Sequence, residues 1–348
     1  MTKFARSAMI LLLIAIMSVG AAACTAEKAP PEPQSKKFKI GFDIYYAGNT
    51  WSVQSAEEFK AAAKRHADEI EQVYYTESEG KAEKQIANIE DLISKKVDAI
   101  IMSPISGPGV SRVIDQAVEA GIKVFVTGNE GLETDKYTAC VTVDDKAFGK
   151  TGAEWLVEAL GGKGKIIVLN GIAGIQTSAV RWEGAKEVFD QYPEIEVVGQ
   201  ASADWDYAKA KMATANLLAA NPQIDGVWSQ GGEMTRGAVE AFQAAGRSLV
   251  PMTAEDNNGF LKVWKTLKGV DKFDSIACSK PTWLTAECLE VALKALKGET
   301  VEKVQVLPVP TIDVDSLDQY VKPDLPDSLW CNTRLSAEDI TALFGQTK

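Results

Sequence analysis

Between residues 38 and 309, short apolar runs rich in β-branched and aromatic residues alternate with stretches whose apolar positions recur every three or four residues. Runs 38–46, 72–76, 98–103, 123–127 and 140–143 read as strands, with helices predicted over 57–66, 81–94 and 110–120. A second series follows, with strands at 165–170, 197–203, 226–229, 250–254 and 275–278 and helices at 178–191, 207–220, 232–245 and 259–267. A long helix over 281–297 and a strand near 304–309 come next. A proline-rich segment then closes on a helix at 336–344, with Ser336 and Asp339 placed as its N-terminal cap. Runs such as DAIIMS and IKVFVT are apolar on both faces, as parallel strands covered by helices require. The expected fold class is therefore α/β: two successive doubly wound, Rossmann-like parallel-sheet lobes.

Ahead of this body, Lys3 and Arg6 lead into an apolar run, 8–19, and then into Ala21-Ala22-Ala23-Cys24. The run is shorter than the roughly 20 residues a membrane-spanning helix needs. Its charged start and small-residue end fit a cleaved export signal over 1–23. A cysteine at that place resembles a bacterial lipoprotein site, which implies a lipid on Cys24 and a membrane anchor, with cleavage and release as the alternative. Ala21 stands where that pattern most often has leucine. Residues 24–36 hold three prolines and little that is apolar, and are expected to be a flexible tether. The body is expected over 37–325, followed by a tail (326–348).

Charge narrows the function. Without residues 1–23 the chain carries 35 basic against 48 acidic residues, and no basic tract of five or more, so nucleic acid is not an expected partner. The 325 residues left exceed one compact core, in keeping with two lobes in an expected monomer. Cys140, Cys278, Cys288 and Cys331 fit no metal spacing, and an exported chain leaves a disulfide among them open, with Cys331 the best placed. The only histidine, His66, is expected exposed within a helix, so no Ser-His-Asp triad or histidine metal site can be assembled. GGKGK at 161–165 lacks P-loop spacing, and no cofactor is predicted. A glycosidase pair among Asp43, Glu130 and Asp256 is the enzymatic rival.

In open α/β sheets ligands sit at the carboxyl ends of the strands. There the chain offers Asn49 and Trp51, then Gly128-Asn129-Glu130, Arg181, Trp205, Gln230-Gly231-Gly232, Asp256 and Ser279. Amides, carboxylates and a guanidinium can meet several hydroxyls at once, and flat rings cover the C–H faces of a sugar. The stretches IGFDIYYAGNTW, VDDKAFG, GIAGIQTSAVRWEGA and ADWDYAKAKMATANLLAANPQIDGVWSQGGEM resemble the ribose-type periplasmic sugar-binding proteins of ABC transporters, over roughly residues 38–311.

That resemblance implies an N-terminal lobe (37–143 plus 280–308) and a C-terminal lobe (144–279 plus 309–325), joined by a hinge of three crossovers near 143–145, 277–281 and 308–311. It implies capture of a monosaccharide or polyol between these closing lobes and delivery to the permease of an ABC transporter. A ligand-presenting sensor subunit is the alternative. It places the family's ligand-binding residues on Asn49, Trp51, Arg181, Trp205 and Asp256. Asn129, Glu130 and Ser279 stand where the family pattern departs. Simpler roles are a helix cap for Asn49, an ion pair to Glu183 or Asp206 for Arg181, and a pairing across the hinge for Asp256. Gly231-Gly232 replace an Asn-Asp pair, which implies a ligand other than ribose that is larger or fills the space they leave. Arg181→Ala is expected to lose affinity at an unchanged ligand-free melting temperature.

Overall fold

The computed structural model describes residues 36–105 and 107–345; the expected export signal over 1–23, Cys24 and the expected tether up to residue 35 lie outside them. In chain order the elements begin β1 (Phe38–Ile44), α1 (Thr50–Arg65), β2 (Ile70–Glu77), α2 (Ala82–Ser94), β3 (Ala99–Met102), α3 (Gly107–Glu119), β4 (Lys123–Val126) and β5 (Ala139–Val143). They continue as α4 (Asp145–Ala159), β6 (Gly164–Asn170), α5 (Gln176–Phe189), β7 (Ile195–Ser202), α6 (Tyr207–Ala220), β8 (Gly226–Ser229), α7 (Gly232–Ala244), β9 (Met252–Glu255), α8 (Asn258–Leu267) and β10 (Ser275–Cys278). The rest is α9 (Leu284–Leu296), β11 (Val304–Leu307), β12 (Thr311–Ile312), α10 (Leu317–Tyr320) and α11 (Ala337–Phe344).

Two six-stranded sheets result, ordered β11-β5-β4-β3-β1-β2 and β12-β10-β9-β8-β6-β7. Every pairing is parallel except β12 against β10. Strand order reverses beside β1 in one sheet and beside β6 in the other, so each lobe has a switch point where a crevice opens. β3, β5, β8, β9 and β10 are buried along their whole length, because helices cover both faces. The chain passes between the sheets after β5, after β10 and between β11 and β12.

Helix α4 escapes the periodicity because Gly149 and Gly152 interrupt it, each lowering helix propensity by about 1 kcal/mol relative to alanine. Packing explains them. A Cβ at Gly149 would overlap the Arg181 carbonyl oxygen on α5, and one at Gly184 would overlap the Lys146 carbonyl oxygen on α4. These glycines let α4 and α5 touch backbone to backbone, which brings Arg181 beside Asp145. Strand β12 is too short for any sequence period to register.

His66 is not the exposed helical residue expected. It caps the end of α1, about a quarter exposed, with Glu69 and Glu290 each 2.9 Å from its ring nitrogens. Burial alone would lower its pKa, but the two carboxylates raise it. The four described cysteines, Cys140, Cys278, Cys288 and Cys331, are unpaired thiols. Ser336 and Asp339 form the predicted capping box at α11. Among the described residues no helix is long and apolar enough to cross a membrane.

Candidate functional site

The carboxyl ends of the two sheets enclose a cavity of about 70 Å³. The β1–α1 loop supplies Asn49 and Trp51, α5 supplies Arg181, and the β7–α6 loop supplies Trp205. Asn49 caps α1, its side-chain oxygen accepting from the Ser52 N–H at 2.8 Å, and it also lines the cavity. Trp51 stands 5.6 Å from the Lys280 ammonium, which fixes a cation over an apolar ring at the cavity edge.

Arg181 is 2% exposed and is the centre of a buried ionic network. Its Nε donates to Asp145 at 2.7 Å, and one terminal nitrogen donates to Glu255 at 2.9 Å and to the Gln230 carbonyl at 3.1 Å. The guanidinium also lies 3.6 Å over the Phe148 ring. Lys280 reaches the other oxygen of Asp145 at 3.2 Å. Burial would raise Asp145, but two cations hold its carboxyl below the usual value; Glu255 has only Arg181 within bonding reach, and burial raises it. Two cations and two carboxylates cancel, so the network presents no net charge to the cavity. Neither Glu183 nor Asp206 is the partner expected for Arg181: Glu183 faces Lys146, and Asp206 caps α6.

Trp205 occupies the space that Gly231 leaves. A Cβ at Gly231 would come within 2.9 Å of its ring, and one at Gly171 would overlap the ring directly. The glycines are thus a slot for the indole, not a void for a larger ligand. Asp204 and Trp205 both adopt left-handed backbone, φ 56° and 53°, a strain of about 1–3 kcal/mol each that collects at functional sites. The Trp205 Nε1 is buried with no partner among the described residues.

Four expected site residues lie elsewhere. Gly128, at φ 107°, turns the chain away after β4, so Thr127 lines the cavity. Asn129 instead donates to Tyr137 at 3.1 Å, and Glu130 takes the Asn129 backbone N–H at 3.1 Å. Successive side chains alternate at the end of β9, so Glu255 faces the cavity and Asp256 the opposite side. Asp256 accepts from Ser279 at 2.8 Å and from the Asn332 backbone N–H at 2.7 Å, the structural role across the hinge. Ser279, engaged there, yields its place in the cavity to Lys280. Asp43 is saturated by Thr76, Ser78, Gln85 and Asn88, and Glu255 by Arg181. Glu255 and Lys280 were within reach of a careful count along the strands. Trp330, which comes from the tail to line the cavity, had no signal in the sequence. Among the described residues no group of three or more His, Cys, Asp or Glu could hold a metal.

Burial pushes Asp256 up to about 7, and does the same to Glu233, which takes a hydrogen bond from Thr50 across the cleft. The ordinary carboxyl of the unfolded chain titrates near 3.8, so between that pH and about 7 the folded chain keeps a proton the unfolded chain has lost. Stability from this group is lost as pH rises through that window. Asp256→Asn is therefore expected to gain melting temperature over the wild type as pH goes from about 4 to 7. A constant difference across that range would contradict the assignment.

A family model described as periplasmic binding protein domain matches residues 40–300. The xylitol-binding protein of Mycolicibacterium smegmatis is 30% identical over 309 residues, 88% of this chain and 85% of that protein. An ABC transporter solute-binding protein of Thermobispora bispora superposes with a TM-score of 0.78 at 26% identity, covering 88% of this chain and 95% of that one. A periplasmic solute-binding protein of Actinobacillus succinogenes, solved with D-allose bound, gives a TM-score of 0.71 at 28% identity over 82% of this chain and 100% of that one.

Proposed function

Since the chain belongs to the periplasmic binding protein family, we propose that it captures one small, neutral sugar or polyol outside the cytoplasm and presents it to the permease of an ABC transporter. The observation that carries this reading is an interlobe cavity whose wall combines aromatic rings with polar groups already fixed in place. Trp51 and Trp205 supply rings for C–H faces, Asn49 an amide and Arg181 a rigid guanidinium. The uncharged total of the ionic network suits a neutral polyol better than a sugar acid. A cavity of about 70 Å³ holds on the order of five waters, which favours a monosaccharide or its alcohol over an oligosaccharide. Names of relatives point the same way: one binds xylitol and another was solved with D-allose. No bond is made or broken in this reading; the lobes close about the three crossings, trap the ligand and release it at the membrane partner.

A thermal-shift panel of monosaccharides and polyols tests it. A ligand that binds only the folded chain adds about 4 kcal/mol at a thousand times its Kd, so at least one pentitol, pentose or hexose is expected to raise the melting temperature. A panel that leaves it unmoved would contradict the reading. Export and a lipid on Cys24, which would keep the trap near its permease, are part of the same proposal and rest on residues 1–24. Labelled fatty acid is expected on the wild-type chain and absent from Cys24→Ala; equal labelling would remove the anchor.

A further inference from the structure

Beyond β12 the chain does not leave the molecule but returns to the cleft. Residues 329–334 bond to both lobes at once. On the C-terminal lobe, Asn258 N–H donates to the Leu329 carbonyl at 2.7 Å, Cys331 N–H donates to the Asp256 carbonyl at 3.1 Å, and Trp330 pairs antiparallel with Asn257. On the N-terminal lobe, the side-chain amide of Gln54 in α1 holds Trp330 twice: it accepts from the backbone N–H at 2.9 Å and donates to the carbonyl at 3.0 Å. Trp330 Nε1 donates to Thr50 at 2.9 Å. Further on, the Arg334 backbone N–H donates to Glu58 at 3.0 Å, and the Arg334 guanidinium lies 3.4 Å over Trp283. Leu329, Leu335 and Ile340 form a small core of the tail's own, packed against Ala61 of α1.

Trp330 is 2% exposed, yet it lines the cavity alongside Trp51, Lys280 and Leu284. With backbone and indole nitrogen both bonded, its ring has one position. We infer that the tail is a working part of the binding site, with Trp330 a ligand-facing residue that limits the size of what the cavity accepts; this rests on the sugar-capture reading. Trp51 and Trp205 reach the cavity from the strand-end loops, and Trp330 adds a third indole from a segment outside the two-sheet pattern. The Trp330 bonds all run to α1 of the N-terminal lobe, whereas its neighbours Leu329 and Cys331 bond to the C-terminal lobe, so this segment stays tied to both only while the lobes are close together. Ligand affinity and tail docking are therefore linked.

The test labels the full chain with 5-fluorotryptophan and adds xylitol, D-ribose or D-allose. Magnetisation transfer from ligand protons to fluorine is then recorded, with signals assigned through Trp51→Phe, Trp205→Phe and Trp330→Phe. Transfer to Trp51, Trp205 and Trp330 at one common half-saturation is expected. Transfer to Trp51 and Trp205 without Trp330 would overturn the inference and leave the cleft assignment standing; transfer to none of the three would overturn the sugar reading and this inference with it. Trp330→Ala is expected to weaken binding by about tenfold or more, whereas Trp330→Phe, which keeps a ring, stays within about threefold. Unchanged affinity in a folded Trp330→Ala chain would also overturn the proposal; should that variant fail to fold, the fluorine experiment on the unmutated chain decides.

Discussion

Replacing Arg181 by alanine is expected to lower the stability of the ligand-free chain by about 3–5 kcal/mol as well as abolish ligand capture. The sequence alone supports only the second effect, because a cleft arginine facing solvent can be removed at little structural cost. The structure changes that expectation. Arg181 is the only cation bonded to Glu255 and shares Asp145 with Lys280, both carboxylates being almost fully buried, and it also satisfies the Gln230 carbonyl and covers Phe148. Removing it strands Glu255 without a cation in bonding reach and leaves Asp145 with Lys280 alone. Urea unfolding of the ligand-free variant checks this. A midpoint equal to the wild type, with binding lost, would show that the network is dispensable to the fold and that the solvent-facing picture was right.

Gly171→Ala is expected to weaken ligand binding by about tenfold or more while costing only about 1–3 kcal/mol of stability. Its backbone lies outside the left-handed region, so alanine meets no conformational strain there. The new methyl would instead overlap the six-membered edge of Trp205, a rigid ring that cannot fold aside. Trp205 must leave the slot between Gly171 and Gly231, taking its unpartnered N–H with it. Equilibrium titration of the folded variant decides the matter: wild-type affinity would mean that the indole position is irrelevant to binding.

Most of the fold was legible because buried parallel strands and their covering helices carry different periods. What the period could not show was α4, where close contact with α5 requires glycine and so suppresses the helical signal. The wall of the candidate cavity was legible in part. Asn49, Trp51, Arg181 and Trp205 stand in the cavity wall because each follows a strand end directly or starts the next helix. Asp256 and Ser279 missed it by one position each, since alternation along the last turn of a strand decides which neighbour faces inward. Gly231-Gly232 misled for a different reason: a missing side chain reads as space, and the residue that fills it, Trp205, is 26 positions earlier in the chain. Trp330 was beyond reach altogether, because a contact between the tail and α1 spans nearly the whole body and leaves no local pattern.

The most direct test of the account is a calorimetric titration, with the panel member that stabilises the chain most, of the wild-type chain and Trp51→Ala side by side. Trp51 is only half-buried and carries no ion pair, so its loss should leave the fold intact and act on the cavity alone. The account predicts one ligand molecule per chain in the wild type and an affinity about tenfold or more weaker in the variant. Equal affinity in the two chains would place the ligand somewhere other than the interlobe cavity.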